Sequence, residues 1–349
     1  MRFAAHVTGR ADVTPQGFSV AGFIDIVKAA EEVGFARISS ADGQGGLECF
    51  TAHGLMANIT KTAHIGPHVT NPVTRDVGVM ASAMLSLHAI SNGRAFLTIG
   101  RGDGTVYNTG LIPATVEEMK QYFLALRELL EEGETVHRGQ RKRLGWPKER
   151  KSNPPLYLVV EGPRMLRLGG AIADGVYIGA GLLPEVITDA IAAVHAGARE
   201  AGRDPASVDI WWDSRFSVAP TYQEALAAAL ESIASPGNHA LRGGFQGKHI
   251  PSELEPKLTQ FHQGYDYAEK GRGGTNARLM ESLGLRGYFL QRFGVVGTPG
   301  EVVERLRFLE SLGVSQISVQ MRDMEQLRLF AREVMPEVSQ PSPGVLAGA

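Results

Sequence analysis

Two short polar segments hold the residues whose types and spacing best suit chemistry in this chain. Thr70-Asn71-Pro72 and Gly100-Arg101-Gly102-Asp103 each follow an apolar run with the composition of a strand, and a helical stretch separates them. Strand, helix and strand in succession indicate a parallel sheet, whose strands all end along one edge. Loops at that carboxyl edge hold the ligand in such folds, so we expect both segments to face one binding site, here called the mouth.

A second pair of loops has the character of a phosphate site. Leu156 to Val160 reads as a strand, and Glu161-Gly162-Pro163 then begins a helix, with Pro163 suited to the first turn. Free backbone N–H groups at a helix start favour an anion. The next predicted strand ends in Gly179-Ala180-Gly181, where missing side chains allow close approach. The alternative is that these glycines only permit tight turns.

Several kinds of chemistry have no motif in this sequence. It contains no HExxH or CxxC pattern, so we predict no metal site. It also lacks a G-x-S-x-G elbow and a Walker A sequence, which leaves acyl transfer and nucleotide hydrolysis without support. The run Gly100 to Gly104 lacks the third glycine of a dinucleotide fingerprint, so we expect no NAD-binding unit.

The elements that must position these loops alternate along the chain. Helices of 3.6-residue periodicity, such as Ser19 to Val33 and the stretch opened by a Thr115–Glu118 capping box, lie between runs rich in β-branched residues. The predicted strands are Phe3–Val7, Ala36–Ser40, His64–Val69, Ala95–Ile99, Leu156–Val160, Gly175–Ile178, Asp209–Val218 and Gln316–Gln320. Eight such units favour an α/β fold of the (β/α)8 TIM barrel type over an open sheet.

Two segments interrupt this repeat and are predicted as insertions in a single domain spanning residues 1–349. Residues 134–153 include a basic run, His137 to Lys151, which we interpret as a solvated loop. Residues 235–297 follow the seventh strand and therefore fall on the carboxyl face. That second insertion could cover the mouth as a lid, form an oligomer contact or remain a surface loop.

Composition excludes several partners. The 349 residues carry a formal charge of −2 and are 43% apolar, with no apolar run long enough to span a membrane. Nucleic-acid binders usually concentrate basic charge on one face, so the net charge of −2 gives no reason to expect that this protein binds nucleic acid. The amino terminus lacks a signal-peptide pattern and Cys49 is the only cysteine, so we expect a cytoplasmic protein without a disulfide.

Four segments, taken in order, resemble a known family. They are GPHVTNPVTRD, SNGRAFLTIGRGDG, EGPRMLRLGGAIADGVYIGAG and FGVVGTPGEVVERLRFLESLGVSQISV. Together they resemble the bacterial luciferase-like superfamily, in the branch that contains methylenetetrahydromethanopterin reductase. The resemblance extends from the first strand to about Val319 and implies a (β/α)8 barrel with insertions. It also implies that reduced FMN or the deazaflavin coenzyme F420 binds at the carboxyl face.

The resemblance assigns a place in the site to individual residues of this chain. Thr70 and Asn71 would lie beside the flavin or deazaflavin ring, and the His68-Val69 pair matches a non-prolyl cis peptide behind that ring. The residues that match the phosphate and ribityl region are Glu161, Gly162, Gly179, Ala180 and Gly181. Asp42 matches the acid of the family's Ser-Asp-His motif, but Gly43 replaces its histidine, which argues against alcohol oxidation by that route.

Five residues near these positions are candidate acid–base groups. They are His6, Asp42, Arg101, Asp103 and Arg215, and we predict the first four as catalytic. Each has a structural alternative: His6 as a hydrogen-bonded interior histidine, Arg101 as a phosphate or partner contact, and Asp103 as a turn residue. Trp211 and Trp212 point to opposite faces of a strand, so at most one lines the mouth.

The leading hypothesis is an oxidoreductase that transfers a hydride between coenzyme F420 and a small organic substrate. The alternative is a monooxygenase that uses reduced FMN and O2; because no NAD-binding unit is predicted, a separate flavin reductase would supply it. A non-catalytic flavin-binding protein is the third hypothesis. Relatives of this kind commonly form homodimers, and we expect the helices around strands two to four at that interface.

Overall fold

The computed structural model describes residues 1–7, 13–14, 17–43, 46–147, 151–268 and 274–339, and its strands follow the predicted order. The strands are β1 (Arg2–Val7), β2 (Val13–Thr14), β3 (Gly17–Phe18), β4 (Arg37–Ser39), β5 (His64–Ile65), β6 (Leu97–Ile99), β7 (Glu134–His137), β8 (Gln140–Arg143), β9 (Leu156–Val160), β10 (Gly175–Ile178), β11 (Asp209–Asp213), β12 (Arg215–Val218), β13 (Gly294–Gly297) and β14 (Gln316–Met321).

Helices separate most of the strands. They are α1 (Val20–Val33), α2 (Cys49–Ile59), α3 (Val77–Ile90), α4 (Gly104–Tyr107), α5 (Val116–Glu132), α6 (Pro163–Ile172), α7 (Pro184–Glu200), α8 (Tyr222–His239), α9 (Glu255–Gly264), α10 (Thr275–Ser282), α11 (Arg286–Phe293), α12 (Pro299–Ser311), α13 (Met324–Leu329) and α14 (Met335–Val338). Short 3-10 turns cover Pro205–Ser207 and Ser252–Leu254, and a π-helix covers Phe330–Val334. Among the described residues, no helix combines the length and the apolarity needed to cross a membrane.

The helix boundaries follow from local sequence. Ser19 caps α1 by accepting from the Gly22 amide, and Thr115 and Glu118 form the predicted capping box of α5. Gly34 ends α1 with φ +94°, a conformation that costs little only without a Cβ. Pro163 occupies the first turn of α6, as predicted.

Eight strands form one parallel sheet, which confirms the predicted α/β class. Their order is β5-β4-β1-β14-β11-β10-β9-β6. The two outer strands of this order also meet, through isolated parallel bridges between Ile65 and Ala95 and between Thr70 and Ile99. The backbone N–H of Thr70 donates to Thr98 O at 3.1 Å, and Thr70 O accepts from Gly100 N at 3.0 Å. The two loops singled out by the sequence therefore lie side by side.

One predicted strand was wrong in detail, and one strand of the structure, β13, was not predicted. The predicted strand Asp209–Val218 is two strands, because the strand is interrupted at Ser214. The Ser214 hydroxyl donates to Ser318 O at 2.7 Å. The second piece, β12, leaves the main sheet and pairs in parallel with β13. Strand β13 lies inside the predicted insertion 235–297. Its four residues, Gly-Val-Val-Gly between two helices, are too few for a strand to be predicted from sequence.

The two predicted insertions have defined structure. Residues 134–143 form the antiparallel β7–β8 hairpin, so this part of the basic run is a hairpin and not a loop. Residues 138–141 and 143 are exposed, as the solvated interpretation expected. Residues 148–150 lie outside the described part. The longer insertion contains the end of α8 and helices α9 to α11, which share an apolar cluster of their own that includes Leu258, Phe261 and Phe289.

A buried arginine fills the sheet interior at the amino ends of the strands. Arg37 lies at the start of β4 and Asp209 at the start of β11, and their side chains are 2.9 Å apart. The guanidinium also contacts Tyr157, Tyr177 and Trp211. Burial alone would lower the pKa of Arg37, but Tyr177, Tyr157 and Asp209 raise it. The interior is therefore closed by a charged cluster at the end opposite the mouth.

Candidate active site

The candidate site is built from the segments that follow the strands of the parallel sheet. Its residues come from the ends of five strands and from the longer insertion. They are His6 on β1, His68 to Asn71 after β5, Arg101 to Asp103 after β6, Glu161 after β9, Asp213 on β11, and His239 to Lys248 in and after α8. Because the strands are parallel, all the strand-derived groups reach the same edge.

Two histidines face each other at the inner end of the mouth. The rings of His6 and His68 lie 5.6 Å apart in an edge-to-face arrangement, and His68 also lies 4.4 Å from the Tyr177 ring. Nε2 of His68 is 3.5 Å from a carboxylate oxygen of Asp213. The Nδ1 atoms of both histidines are buried and have no hydrogen-bond partner within the described residues. The peptide between His68 and Val69 is cis, as predicted.

The charges of this inner group are fixed by its surroundings. Burial, with a further contribution from His68, lowers the pKa of His6 to about 3, so its ring is neutral near pH 7. Burial alone would raise the pKa of Asp213, but Arg215 and His68 hold it well below its usual value. At neutral pH the structure thus places a neutral imidazole, His6, near a carboxylate, Asp213.

A chain of polar contacts crosses the mouth from this carboxylate. Arg215 donates to Asp213 at 3.0 Å, and its other terminal nitrogen lies 3.5 Å from Nε2 of His239. Nδ1 of His239 donates to Glu161 at 2.5 Å. Burial alone would raise the pKa of Glu161, but His239 and Arg242 lower it. Glu161, predicted in the phosphate region, is therefore one end of a charged network.

The insertion takes part in the same network. Arg242 donates to the Asp103 carboxylate at 2.9 Å, to Tyr267 OH at 2.9 Å and to Gly102 O at 3.1 Å. Lys248 donates to Arg242 O at 2.7 Å. Burial lowers the pKa of Lys248 to about 8, with Glu161 opposing the shift. The segment after α8 thus lies against the loop that follows β6.

Two of the predicted catalytic residues are engaged in binding the protein's own loops. Asp42 accepts from Thr70 Oγ1 at 2.7 Å and forms an ion pair with Arg75. Its backbone carbonyl accepts from Thr105 Oγ1 at 2.5 Å. Arg101 donates through Nε to Ala114 O at 2.5 Å. These contacts connect the loops after β4, β5 and β6 to one another.

The loop beside the predicted ring site is rigidly held. Thr70 is 1% exposed and bonded on both sides of its backbone and through its hydroxyl. Oδ1 of Asn71 accepts from the amides of Val73 and Thr74, each at 2.9 Å. A loop whose own polar groups are satisfied in this way offers a fixed wall to a ligand.

The predicted phosphate loops differ in how open they are. Gly162 caps α6 without a side-chain hydrogen bond, and a Cβ added there would meet nothing within 4 Å. Gly179 donates its amide to Val160 O at 3.0 Å, and an added Cβ would lie 3.1 Å from Glu161 Oε1. Gly181, with φ +120°, packs against Arg292, which also donates to Ala180 O at 2.9 Å. Only the Gly162 end of this pair of loops is open.

Three functional candidates were missed from the sequence. Asp213, His239 and Arg242 reach the mouth through contacts with residues 24 to 145 positions away in the chain. Asp213 had one usable signal: it lies two residues beyond Trp211, and alternation therefore places it on the same inner face. Trp211 does contact the interior cluster around Arg37, whereas Trp212 packs in the outer core.

The donor set fits an extended anionic ring cofactor better than a metal. Among the described residues, no group of three or more His, Cys, Asp or Glu side chains is placed to hold a metal ion. The two unpartnered Nδ1 atoms of His6 and His68 can bond polar atoms of a ring. The open helix start at Gly162 can bind a phosphate.

A parallel α/β sheet with polar groups gathered at its carboxyl edge defines the class of enzyme that binds its substrate or cofactor at that edge. The chain belongs to the luciferase-like monooxygenase family, whose model matches residues 1–316. This membership confirms the resemblance inferred from the sequence.

Relatives and solved structures agree with this membership. The chain is 30% identical over 302 residues to the 5,10-methylenetetrahydromethanopterin reductase of Methanolobus tindarius, covering 83% of this chain and 87% of the relative. It is 27% identical over 301 residues to the F420-dependent glucose-6-phosphate dehydrogenase of Segniliparus rotundus, covering 82% of each. The fold matches the coenzyme F420 dependent tetrahydromethanopterin reductase of Methanopyrus kandleri with a TM-score of 0.75 at 24% identity, over 97% of this chain and 99% of that one.

Proposed function

We propose that this protein is an oxidoreductase that transfers a hydride between coenzyme F420 and a small organic substrate at the mouth. The observation that carries the proposal is the similarity to a reductase at 30% identity over 302 residues, together with the similarity to a relative that is named as F420-dependent. Both similarities cover more than four fifths of the chain and of the relative.

The proposal includes a closed (β/α)8 barrel in a single domain with a lid. The bridges between the outer strands, at Ile65–Ala95 and Thr70–Ile99, support closure. The contacts of Arg242 with Asp103 and Gly102 support a lid role for the longer insertion. Exposed Val79 and Ile90 on α3, at 59% and 53%, are consistent with a homodimer through this helix.

In this proposal the strand-end residues divide between the two parts of the cofactor. His68, Val69, Thr70 and Asn71 hold the ring, whose C–H bond supplies the hydride when the coenzyme is bound. The phosphate lies near Gly162 at the start of α6, with Glu161 and the Gly179–Gly181 loop around the ribityl chain. The neutral His6 ring and the Nδ1 atom of His68 bond the polar edge of the ring.

The predicted catalytic residues take two kinds of role. His6 and Asp103 face the groups that cross the mouth, and we assign them contact with ring or substrate. Asp42 and Arg101 are engaged by Arg75 and by Ala114 O, so we assign them the positioning of the loops around the site. Excluding water from the mouth protects the hydride donor during transfer.

Equilibrium binding to the purified protein tests the cofactor directly. We expect coenzyme F420 to bind at least about tenfold more tightly than FMN when each is tested oxidised and reduced. Tighter binding of reduced FMN would favour the second candidate, an FMN-dependent monooxygenase served by a separate reductase. The matched family description favours that candidate. Incorporation of one oxygen atom from 18O2 into an organic product, with reduced FMN and no F420, would establish it.

A further inference from the structure

A cavity of about 310 Å³ lies outside the mouth, on the far side of the Thr70–Pro72 loop. It is enclosed by that loop, by the start of α3, by α5 and by the β7–β8 hairpin of the shorter insertion. The polar side chains that line it and enter the argument are Arg75, Asp76, Tyr122, His137, Arg138 and Lys142. None of the residues assigned to the proposed cofactor site lines this cavity.

His137 is buried in the cavity wall without a hydrogen bond. Its residue is 8% exposed, and its ring contacts Tyr122 edge-to-face at 5.7 Å. Neither ring nitrogen has a hydrogen-bond partner in the part of the chain that the structure describes. The His137 nitrogens are not among the buried unpartnered atoms of the described residues, so they are accessible from the cavity and can bond a ligand there.

One cation of the lining, Arg138 at the turn of the hairpin, is also exposed to solvent. Arg138 forms no ion pair or hydrogen bond with any described residue, although the other two cations are paired. Lys142 donates to Asp76 at 2.8 Å, and Arg75 pairs with Asp42 and Glu48. Asp76 is the one carboxylate in the lining, and its other oxygen accepts from Gly78 N at 2.8 Å. Its charge is therefore offset before any ligand arrives.

The pKa of His137 is lowered in surroundings that are mainly positive. Burial lowers the pKa of His137 and Arg138 lowers it further, while Asp76 opposes the shift and Lys142 adds to it. The tight turn of the hairpin places Arg138 in this position, because Arg138 and Gly139 both have left-handed φ values, +50° and +71°. The turn thus places the exposed Arg138 in the lining of the cavity, on the same side of the hairpin as Lys142.

We propose that this cavity binds a small oxyanion, a phosphate or carboxylate group, through Arg138, Lys142 and the ring of His137. A guanidinium and an ammonium supply charged donors, and the imidazole N–H supplies a neutral one. The lining of this site includes none of the residues assigned to hydride transfer. Its ligand is either a free oxyanion or the acidic end of a larger molecule that also reaches the mouth past the Thr70–Pro72 loop.

Calorimetric titration with inorganic phosphate, at pH 7 and constant ionic strength, tests the site. Arg138→Gln should weaken phosphate binding at least about tenfold. The matched control is Arg141→Gln, which removes the same charge from an exposed position on the same hairpin where Arg141 pairs with Glu134. It should change affinity less than about twofold. Equal affinity in the wild type and Arg138→Gln, or equal weakening in both variants, would overturn the proposal.

A second variant separates ligand binding from a structural role of the histidine. His137→Phe keeps a ring against Tyr122 and removes the unpartnered nitrogens. We expect thermal stability to be retained or raised while phosphate affinity falls at least about threefold. A destabilised variant with unchanged affinity would make His137 a packing residue and would remove it from the site.

Competition identifies the source of the oxyanion. If the ligand is the acidic end of the cofactor, phosphate should compete with coenzyme F420 or FMN, and Arg138→Gln should weaken that cofactor's binding as well. If it is a free oxyanion, phosphate and cofactor should bind together without affecting each other. Failure of F420 to bind would refute the proposed function and would leave the phosphate result to decide this site.

Discussion

Asp209→Asn provides a quantitative test of the charged cluster at the amino end of the sheet. The change keeps the size of the side chain but removes the negative charge 2.9 Å from the Arg37 guanidinium. The same carboxylate accepts from Tyr157 OH, Trp211 Nε1 and Gln316 Nε2. An asparagine offers an NH2 group toward one of these donors, so the variant also loses at least one hydrogen bond.

The expected loss follows from burial. Breaking a buried ion pair by removing one partner costs about 3–5 kcal/mol. Arg37 is 7% exposed and Asp209 is 32% exposed, so we expect the lower end of that range, about 3 kcal/mol. Arg37→Met should cost less, because the carboxylate it leaves keeps three donors and some contact with water. The double variant should lose about as much as Arg37→Met alone.

Urea unfolding, followed by far-UV circular dichroism and by tryptophan fluorescence, measures these differences where the two transitions coincide. Glu337→Gln is the control, because its ion pair with Arg307 at 2.7 Å is more than half exposed on both sides. That control should barely change stability. A loss in Asp209→Asn no larger than in the control, or a loss smaller than in Arg37→Met, would refute the reasoning.

Three further outcomes concern the mouth. Gly179→Val should weaken cofactor binding at least about tenfold, because the added Cβ would lie 3.1 Å from the Glu161 carboxylate and displace it. The control Gly300→Val on α12 should leave cofactor binding unchanged, because an added Cβ there meets nothing within 4 Å. Unchanged affinity in folded Gly179→Val would place the phosphate elsewhere. Because burial lowers the pKa of His6 to about 3, the unfolded chain binds more protons than the folded one between pH 3 and 6.5. The free energy of unfolding should therefore decrease as the pH is lowered through this range, by up to about 1.4 kcal/mol per pH unit. His6→Gln should flatten this slope in urea titrations at pH 4.5 and 6.5, and an unchanged slope would contradict the assignment. Arg242→Gln removes the contact with Asp103 and should speed hydrogen exchange in the insertion and raise KM, and equal exchange rates would argue against a lid.

The fold was largely readable from the sequence because its signals are local. Seven of the predicted strands correspond to one strand each of the parallel sheet, and the Thr115–Glu118 capping box begins α5 as expected. The failures also have local causes. Aromatic and β-branched residues on both sides of Ser214, from Ile210 to Val218, hide the interruption of the strand. The Ser214 hydroxyl that marks it finds its acceptor, Ser318 O, more than a hundred residues away.

The site was only partly predictable, because its charges are set by distant pairings. The sequence gives no sign that Arg75 engages Asp42, or that Arg242 reaches Asp103 from the insertion. The cis peptide between His68 and Val69 was predicted from the family resemblance and is present. The roles of the glycines at 162 and 179 to 181 stay predictions, and the structure distinguishes them by showing that the Gly179 amide is already bonded to Val160 O.

The charges at the mouth limit which groups can supply a proton when a substrate is reduced by hydride. His6 has a pKa of about 3, so at neutral pH it carries no proton to spare beyond its own N–H. Asp213 and Glu161 are both held ionised by their cationic neighbours, so they can accept a proton but have none to donate. Lys248 differs from these three, because burial brings its pKa to about 8 and its ammonium lies close enough to Glu161 and Arg242 to be affected by both. A proton delivered from the protein at pH 7 would therefore come more readily from the Lys248 side of the mouth than from the His6 side.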